Sequence, residues 1–344
     1  MRKIATRWLI LASIVVIAIV GTMGACSPSA QPAPTRPKAE IEIWSFQAGS
    51  GNYLLSFALA SLINKYSTWL SAETIETFGS AQHLKNMSEK PETRANAIYL
   101  NVDTTNELAR QGLPPHSYLY DGSRFIAIQY SGGLAWFTYS KSINGWRDFQ
   151  GKTVAYFPPS TDTGICTDAL LKDVWGIADK VTVTKDFYGG MTRGLRDGTI
   201  DVALLGFNGI DPVWDLSPAV APMVVEKPGI RVIGISEADI QAMNEASKFH
   251  SSSTVLKTGT GGVITQDTTC FVNNMGWWAD ESMDDEIVAE ITRILYENID
   301  EMREMVPTSY ITRDNIARYP IPENLFHPAA LKFYKENGVP VGAP

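Results

Sequence analysis

The sequence is poor in the residues that most metal sites, scaffolds and nucleic-acid surfaces require. Its 344 residues include three cysteines and four histidines. Three cysteines cannot build a disulfide scaffold, and the histidines, at positions 83, 116, 250 and 327, share no Cys/His spacing that would hold zinc. Basic charge is scarce as well: Lys plus Arg number 29 against 37 Asp plus Glu, with no basic run that could follow a phosphate backbone. Nucleic acid is therefore not an expected partner, and any anion site must be local. The apolar run from Trp8 to Val20, about 13 residues, falls short of the roughly 20 that a spanning helix needs.

That short run is flanked in a telling way. Arg2, Lys3 and Arg7 precede it and Gly21-Thr22-Met23-Gly24-Ala25-Cys26 follows, the charged, apolar, small-residue order of a secretory signal. Met-Gly-Ala-Cys resembles the lipobox of bacterial lipoproteins, with Met23 where Leu is usual; the likeness implies a signal over 1–25 and lipid attachment at Cys26. Residues 26–39 are rich in Pro, Ser and Ala, a composition that cannot bury apolar surface, and read as a tether. The mature protein is expected outside the cytoplasm, anchored to a membrane by lipid. There Cys166 and Cys270 are free to pair or stay reduced; an assignment to different lobes predicts free thiols.

What the chain has in quantity is apolar sequence, 44% of residues, enough to bury the cores of two domains. Ile41 to Phe46 alternates with the period of a strand, and Leu55, Leu59, Leu62, Ile63 and Tyr66 recur with the period of a helix. Between them lies Gln47-Ala48-Gly49-Ser50-Gly51-Asn52-Tyr53, a turn opening a helix whose first N–H groups lack internal partners and carry the positive end of its dipole. Gly49, Ser50, Gly51, Asn52 and Tyr53 are candidate ligand contacts for an anion; the plain alternative is an ordinary turn. Ala72 to Phe78 reads as a second strand, with Gly79-Ser80-Ala81-Gln82 starting a short helix. A strand at Ala97 to Leu100, a helix at Thr104 to Arg110, and two strands at 125–130 and 135–140 follow. Ser131-Gly132-Gly133 separates the last two as a crossing between lobes.

In the second half, Gly145 and Gly151-Lys152-Thr153 nearly spell a nucleotide-binding P-loop, but the spacer is one residue too long and Gly-Lys-Thr enters a strand where the motif needs a helix. ATP is rejected, and no cofactor is expected. Pro158-Pro159-Ser160-Thr161-Asp162-Thr163-Gly164 then turns into an amphipathic helix, a second strand-to-helix turn with Thr161, Asp162 and Thr163 as candidate contacts. Asp162 either caps its helix or faces a cleft. Strands near 181–184, 201–205 and 230–235 alternate with helices, the pattern of a mostly parallel sheet. A polar helix at 237–249, a strand at 268–277 and helices at 284–300 and 328–337 complete the chain.

Five stretches in order resemble the TAXI-type solute receptors of tripartite TRAP transporters, over nearly the whole mature chain. Gly49-Ser50-Gly51-Asn52-Tyr53 is similar to that family's Gly-x-Gly-Thr-Tyr-Tyr. Ser80-Ala81-Gln82-His83-Leu84 is similar to its Ser-x-Glu-Asn-Leu, adding Ser80 and Gln82 as candidate contacts. Asp148-Phe149-Gln150-Gly151-Lys152-Thr153-Val154, Gly194 to Asp201 and Leu325 to Glu336 are similar to its three later motifs. Asn52, Leu54, His83 and the turn at 160–163 depart from the pattern. The resemblance implies an α/β, two-lobed periplasmic-binding-protein-like fold of type II, each lobe a mostly parallel sheet flanked by helices, joined by a hinge. Lobe 1 is expected at 40–133 and 236–344, lobe 2 at 134–235. It further implies a binding protein and not an enzyme, holding a small organic acid or amino acid and delivering it to a TRAP-type permease. The same fold would serve a ligand-sensing module. A hydrolase using Ser50 or Ser160 is the third reading, without a Gly-x-Ser-x-Gly elbow to mark it.

Overall fold

The computed structural model describes residues 36–46, 48, 50–248 and 250–342. Residues 38–342 belong to one compact unit; of the unit before it only Arg36 and Pro37 are described. Cys26, the signal and most of the tether lie outside the described residues, as does Gly49. Among the described residues no helix is long and apolar enough to cross a membrane.

The first third alternates strands and helices: β1 (Ala39–Ser45), α1 (Gly51–Tyr66), β2 (Leu70–Glu76), α2 (Ser80–Glu89), β3 (Ala97–Val102) and α3 (Asp103–Gln111). A long strand follows, β4 (Ser123–Thr138), then β5 (Thr153–Tyr156), α4 (Asp162–Ala169), β6 (Thr182–Lys185), α5 (Tyr188–Asp197), β7 (Val202–Ile210) and β8 (Val213–Leu216). The chain continues through α6 (Ala221–Glu226), β9 (Arg231–Ile233), α7 (Glu237–Ser247), β10 (Ser252–Leu256) and a second long strand, β11 (Thr268–Asp280). It ends with α8 (Asp285–Glu297), α9 (Ile299–Met305) and α10 (Pro328–Glu336). Pro328 stands at the first turn of α10, where its missing N–H costs nothing, and His327 caps the helix.

The eleven strands among the described residues join in one sheet, ordered β2-β1-β3-β11-β4-β7-β5-β6, with β10 on β11, β8 on β7 and β9 on β4. The parallel pairs foreseen from the strand–helix alternation are there, β2-β1-β3 in one lobe and β7-β5-β6 in the other. Between them β4 and β11 run antiparallel along their length and belong to both lobes, so the sheet as a whole is mixed. The expected break at Ser131-Gly132-Gly133 is not a break. These residues pair with Asn274, Asn273 and Val272 on one side and with Gly209, Asn208 and Phe207 on the other, inside β4. Gly133 is small for a packing reason: a Cβ there would stand 3.1 Å from the Trp214 ring and 3.2 Å from Cys270 Sγ.

Three apolar clusters form the cores. One fills the first lobe, with Trp277, Trp278, Tyr99 and Tyr319 fully buried; the others pack on the two faces of the second lobe's sheet, around Trp136 and around Phe137 and Phe207. Packing with the second lobe's clusters runs past the boundary expected at 235/236. Ile240 and Met243 of α7 and Phe271 pack with Trp136, while Leu256, Cys270 and Val272 pack with Phe207, so the segment through 272 belongs to the second lobe. Cys270 is thus not in the first lobe. Both cysteines are free and buried because they lie in the two clusters on opposite faces of one sheet, Cys166 with Trp136 and Cys270 with Phe207.

Candidate functional site

The first lobe sends the N-terminus of α1 onto the crossing strands. Ser50 is its N-cap, its Oγ accepting from the Tyr53 N–H at 3.2 Å. No acidic residue occupies the first turn, so the dipole and free N–H groups are unopposed. Asn52 turns inward: its Nδ2 donates to Gln129 Oε1 at 3.1 Å and lies 3.4 Å from Met275 Sδ, and its Oδ1 accepts from the Tyr130 hydroxyl at 2.7 Å. Gly51 meets nothing within 4 Å of where a Cβ would be, and Tyr53 is half-buried.

The second lobe sends the N-terminus of α4 to the same strand. Its N-cap is Thr161, whose Oγ1 accepts from the Gly164 N–H at 3.0 Å. Asp162 is therefore the first residue inside the helix, and its carboxylate accepts from Asn273 Nδ2, which also reaches Thr163 Oγ1 at 3.3 Å. Asn273 and Met275 are two residues apart on one face of β11, so the Asn52 and Asp162 side chains, one from each helix N-terminus, reach neighbouring positions on that face. The two sequence-predicted turns are brought together. Ser80 and Gln82 are not: Gln82 Oε1 is engaged by the Phe78 N–H at 2.8 Å in its own turn, and neither side chain bonds to the crossing strands among the described residues.

Several residues at this junction escaped the sequence reading: Gln129, Tyr130, Asn273, Met275 and, above all, Asp103. Asp103 opens α3, and its Oδ2 accepts from Asn274 Nδ2 at 2.8 Å while Oδ1 accepts from the Thr104 N–H at 2.8 Å. Burial pushes the Asp103 carboxyl up to about 7, and the nearby Asp162 charge adds to the effect. Burial likewise pushes the Asp162 carboxyl up to about 6, with the Thr163 N–H and the Asn273 amide among the donors that partly relieve it. Two carboxyls, one from each lobe, thus sit within electrostatic reach of each other. The signal for Asn273 and Asn274 was visible as two adjacent amides inside an otherwise apolar strand, since buried polar side chains in a core strand need partners.

Ser50 spends its oxygen on its helix, and the nearest candidate base in sequence, His83, is fully buried with Nδ1 2.6 Å from the Leu100 carbonyl and Nε2 2.5 Å from Thr77 Oγ1. That pair does not form a nucleophile and base. Asp201, at a strand start, accepts from the Thr153 N–H at 2.8 Å, a structural bond.

Two α/β lobes tied by paired crossing strands, with helix N-termini from both lobes reaching those strands, make up the fold. The chain belongs to the NMT1-like family, whose pattern matches residues 47–338. Among solved structures it is similar to a TctC solute-binding protein from Polaromonas, at 15% identity over 79% of this chain and 89% of that one, with a TM-score of 0.50. It is similar also to a Xanthomonas citri protein bound to chloride ion, at 9% identity over 87% and 99%, TM-score 0.51. A third is MatC from Rhodopseudomonas palustris with bound malate, at 12% identity over 88% and 97%, TM-score 0.49. At these identities the likeness is one of fold. No curated protein matches the sequence.

Proposed function

We propose that the protein is an extracytoplasmic solute receptor that captures a small organic acid, in the form of an amino acid, between its lobes. Membership of the NMT1-like family and the two-lobed fold support the class. One observation carries the ligand: the α1 N-terminus, free of acidic residues, and the Asp162 carboxylate meet one face of β11. The first attracts a carboxylate and the second an ammonium. A ligand that touches both lobes favours the closed arrangement, and no chemistry is required. Ser50, Gly51, Asn52, Tyr53, Thr161, Asp162 and Thr163 are the contacts we assign, with Gly49 beside them in the sequence. Ser80 and Gln82 are second in rank because Gln82 is committed to its own turn.

Isothermal titration of the parent and of Asp162→Gly against glutamate, 2-oxoglutarate and succinate tests this reading. The parent is expected to favour glutamate, and Asp162→Gly to lose that preference. Binding of none of the three, with a neutral sugar or a purely cationic ligand found instead, would overturn it.

The finer reading, a TAXI-like receptor tethered by lipid at Cys26 and serving a TRAP-type permease, rests on the sequence motifs. A diacylglyceryl group with N-acylation supplies more than one chain, enough for stable attachment. Cys26→Ser should move the protein out of the membrane fraction or leave it unprocessed; a variant that fractionates and migrates like the parent would exclude the anchor.

A further inference from the structure

The helix N-termini occupy one face of the crossing strands, the face carrying Tyr130, Asn273 and Met275. On the opposite face lies a cavity of about 730 Å³ that the proposed receptor site does not use. Its floor is Ser131, Val272 and Asn274 of the crossing strands. One wall comes from the second lobe, the β7–β8 hairpin with Trp214, and the other from the first lobe, with Tyr310 and Arg318. The volume lies within the range of small-molecule pockets, roughly 300–1,000 Å³.

The charges in this cavity are unevenly committed. Asp211 is already engaged, its Oδ1 accepting from Trp214 Nε1 at 3.2 Å and from Thr254 Oγ1 at 3.1 Å. Arg303 and Asp314 line the cavity too but are exposed, so solvent screens their charges. Arg318 is half-buried, and unlike Arg293 and Arg313, which pair with Glu290 and Glu297 and with Asp300, it has no ion pair among the described residues. A guanidinium without an ion pair is open to an anion, and its planar fork matches one carboxylate. Trp214 packs against β4 at Gly133, and with Tyr310 it supplies aromatic surface to the cavity.

We propose that this cavity is a second binding site, for a small monocarboxylate with a flat apolar body. The carboxylate pairs with Arg318 of the first lobe, and the flat body packs on Trp214 of the second. An occupant therefore bridges the lobes on the reverse side of the crossing strands.

The test uses 4-fluorobenzoate as the probe, followed by fluorine NMR line broadening on the full-length mature protein, with 4-fluorobenzylamine as the probe of opposite charge. The parent is expected to bind the benzoate saturably at one site and to ignore the amine. Arg318→Met should weaken the benzoate roughly tenfold or more, and Trp214→Leu, which removes the flat ring, should weaken it independently. Asn52→Ala, on the other face, should leave it unchanged. Melting curves of each variant identify any that fails to fold, and either cavity variant suffices alone. No binding by the parent, equal binding of the amine, or binding lost in Asn52→Ala and kept in Arg318→Met would each overturn the proposal.

Discussion

Asp103 and Asp162 give the ligand-free protein a pH dependence of stability that can be worked from the site. Both carboxyls rise from an ordinary 3.8, to about 7 and about 6. A carboxyl raised by folding holds a proton that the unfolded chain releases near pH 4. Its stabilising contribution is therefore full below about 4 and is lost as pH climbs towards 7, because the native state binds more protons across that window. At ~1.4 kcal/mol per tenfold in proton affinity, the larger rise would amount to about 4 kcal/mol taken alone. The two groups titrate as a coupled pair whose contributions do not simply add, so we take the larger alone and expect at least about 4 kcal/mol lost between pH 4 and pH 8. For a domain this large, roughly 2 °C per kcal/mol converts that to about 8 °C in Tm. His83, lowered by burial to about 4, together with His116 and His327, also lowered by burial, works in the opposite sense: their cost at acid pH falls as pH rises. The assay is thus a difference, calorimetric melts of the parent and of the Asp103→Asn/Asp162→Asn double variant at pH 4.5 and pH 8. Asparagine forfeits an acceptor facing Asn274 Nδ2, but that loss is independent of pH and drops out of the slope. The parent should lose stability with rising pH relative to the variant. Parallel melting curves, or a parent that gains relative stability at pH 8, would refute the burial and proximity of the two carboxyls.

Two further predictions concern packing. A Cβ on Gly164 would stand 2.0 Å from the Pro158 carbonyl oxygen, so Gly164→Ala should displace the α4 N-terminus, cost about 1–3 kcal/mol in denaturant melts and weaken ligand binding; an unaffected melt would contradict the geometry. Cys166 and Cys270 are buried, and burial pushes both thiols up, Cys270 to about 12 and Cys166 well above its ordinary value. Neither should react with a thiol reagent until denaturant is added, and peptide mapping should find no disulfide.

Much of the fold was legible because local signals agreed with it. The period-2 run at Ile41 to Phe46 and the period-3.6 run after it became β1 and α1 within a few residues, and the near P-loop at Gly151-Lys152-Thr153 leads into β5 as read. The failures have a common origin in long-range pairing. Glycines at 132 and 133 look like a turn to a local rule, yet strands on both sides hold them in β4 and a tryptophan needs the space. The strands β8 and β10 are short and partly exposed, and exist through pairing with β7 and β11, which no window of sequence displays. The lobe boundary is hard to read locally because β11 carries apolar residues for clusters in both lobes, and only packing shows which cluster Phe271 and Val272 join. At the site, the turns were visible from their Gly, Ser and Thr content. Asp103 was missed because it opens a helix read as beginning at Thr104, and its closeness to Asp162 is set by tertiary contact.

Native mass spectrometry of the protein purified without refolding most directly tests whether a solute is held between the lobes. The account predicts one small molecule carrying both a carboxylate and an amine, retained by the parent and lost from Asp162→Gly. A retained sugar or polyphosphate, or the same complement on both proteins, would contradict it.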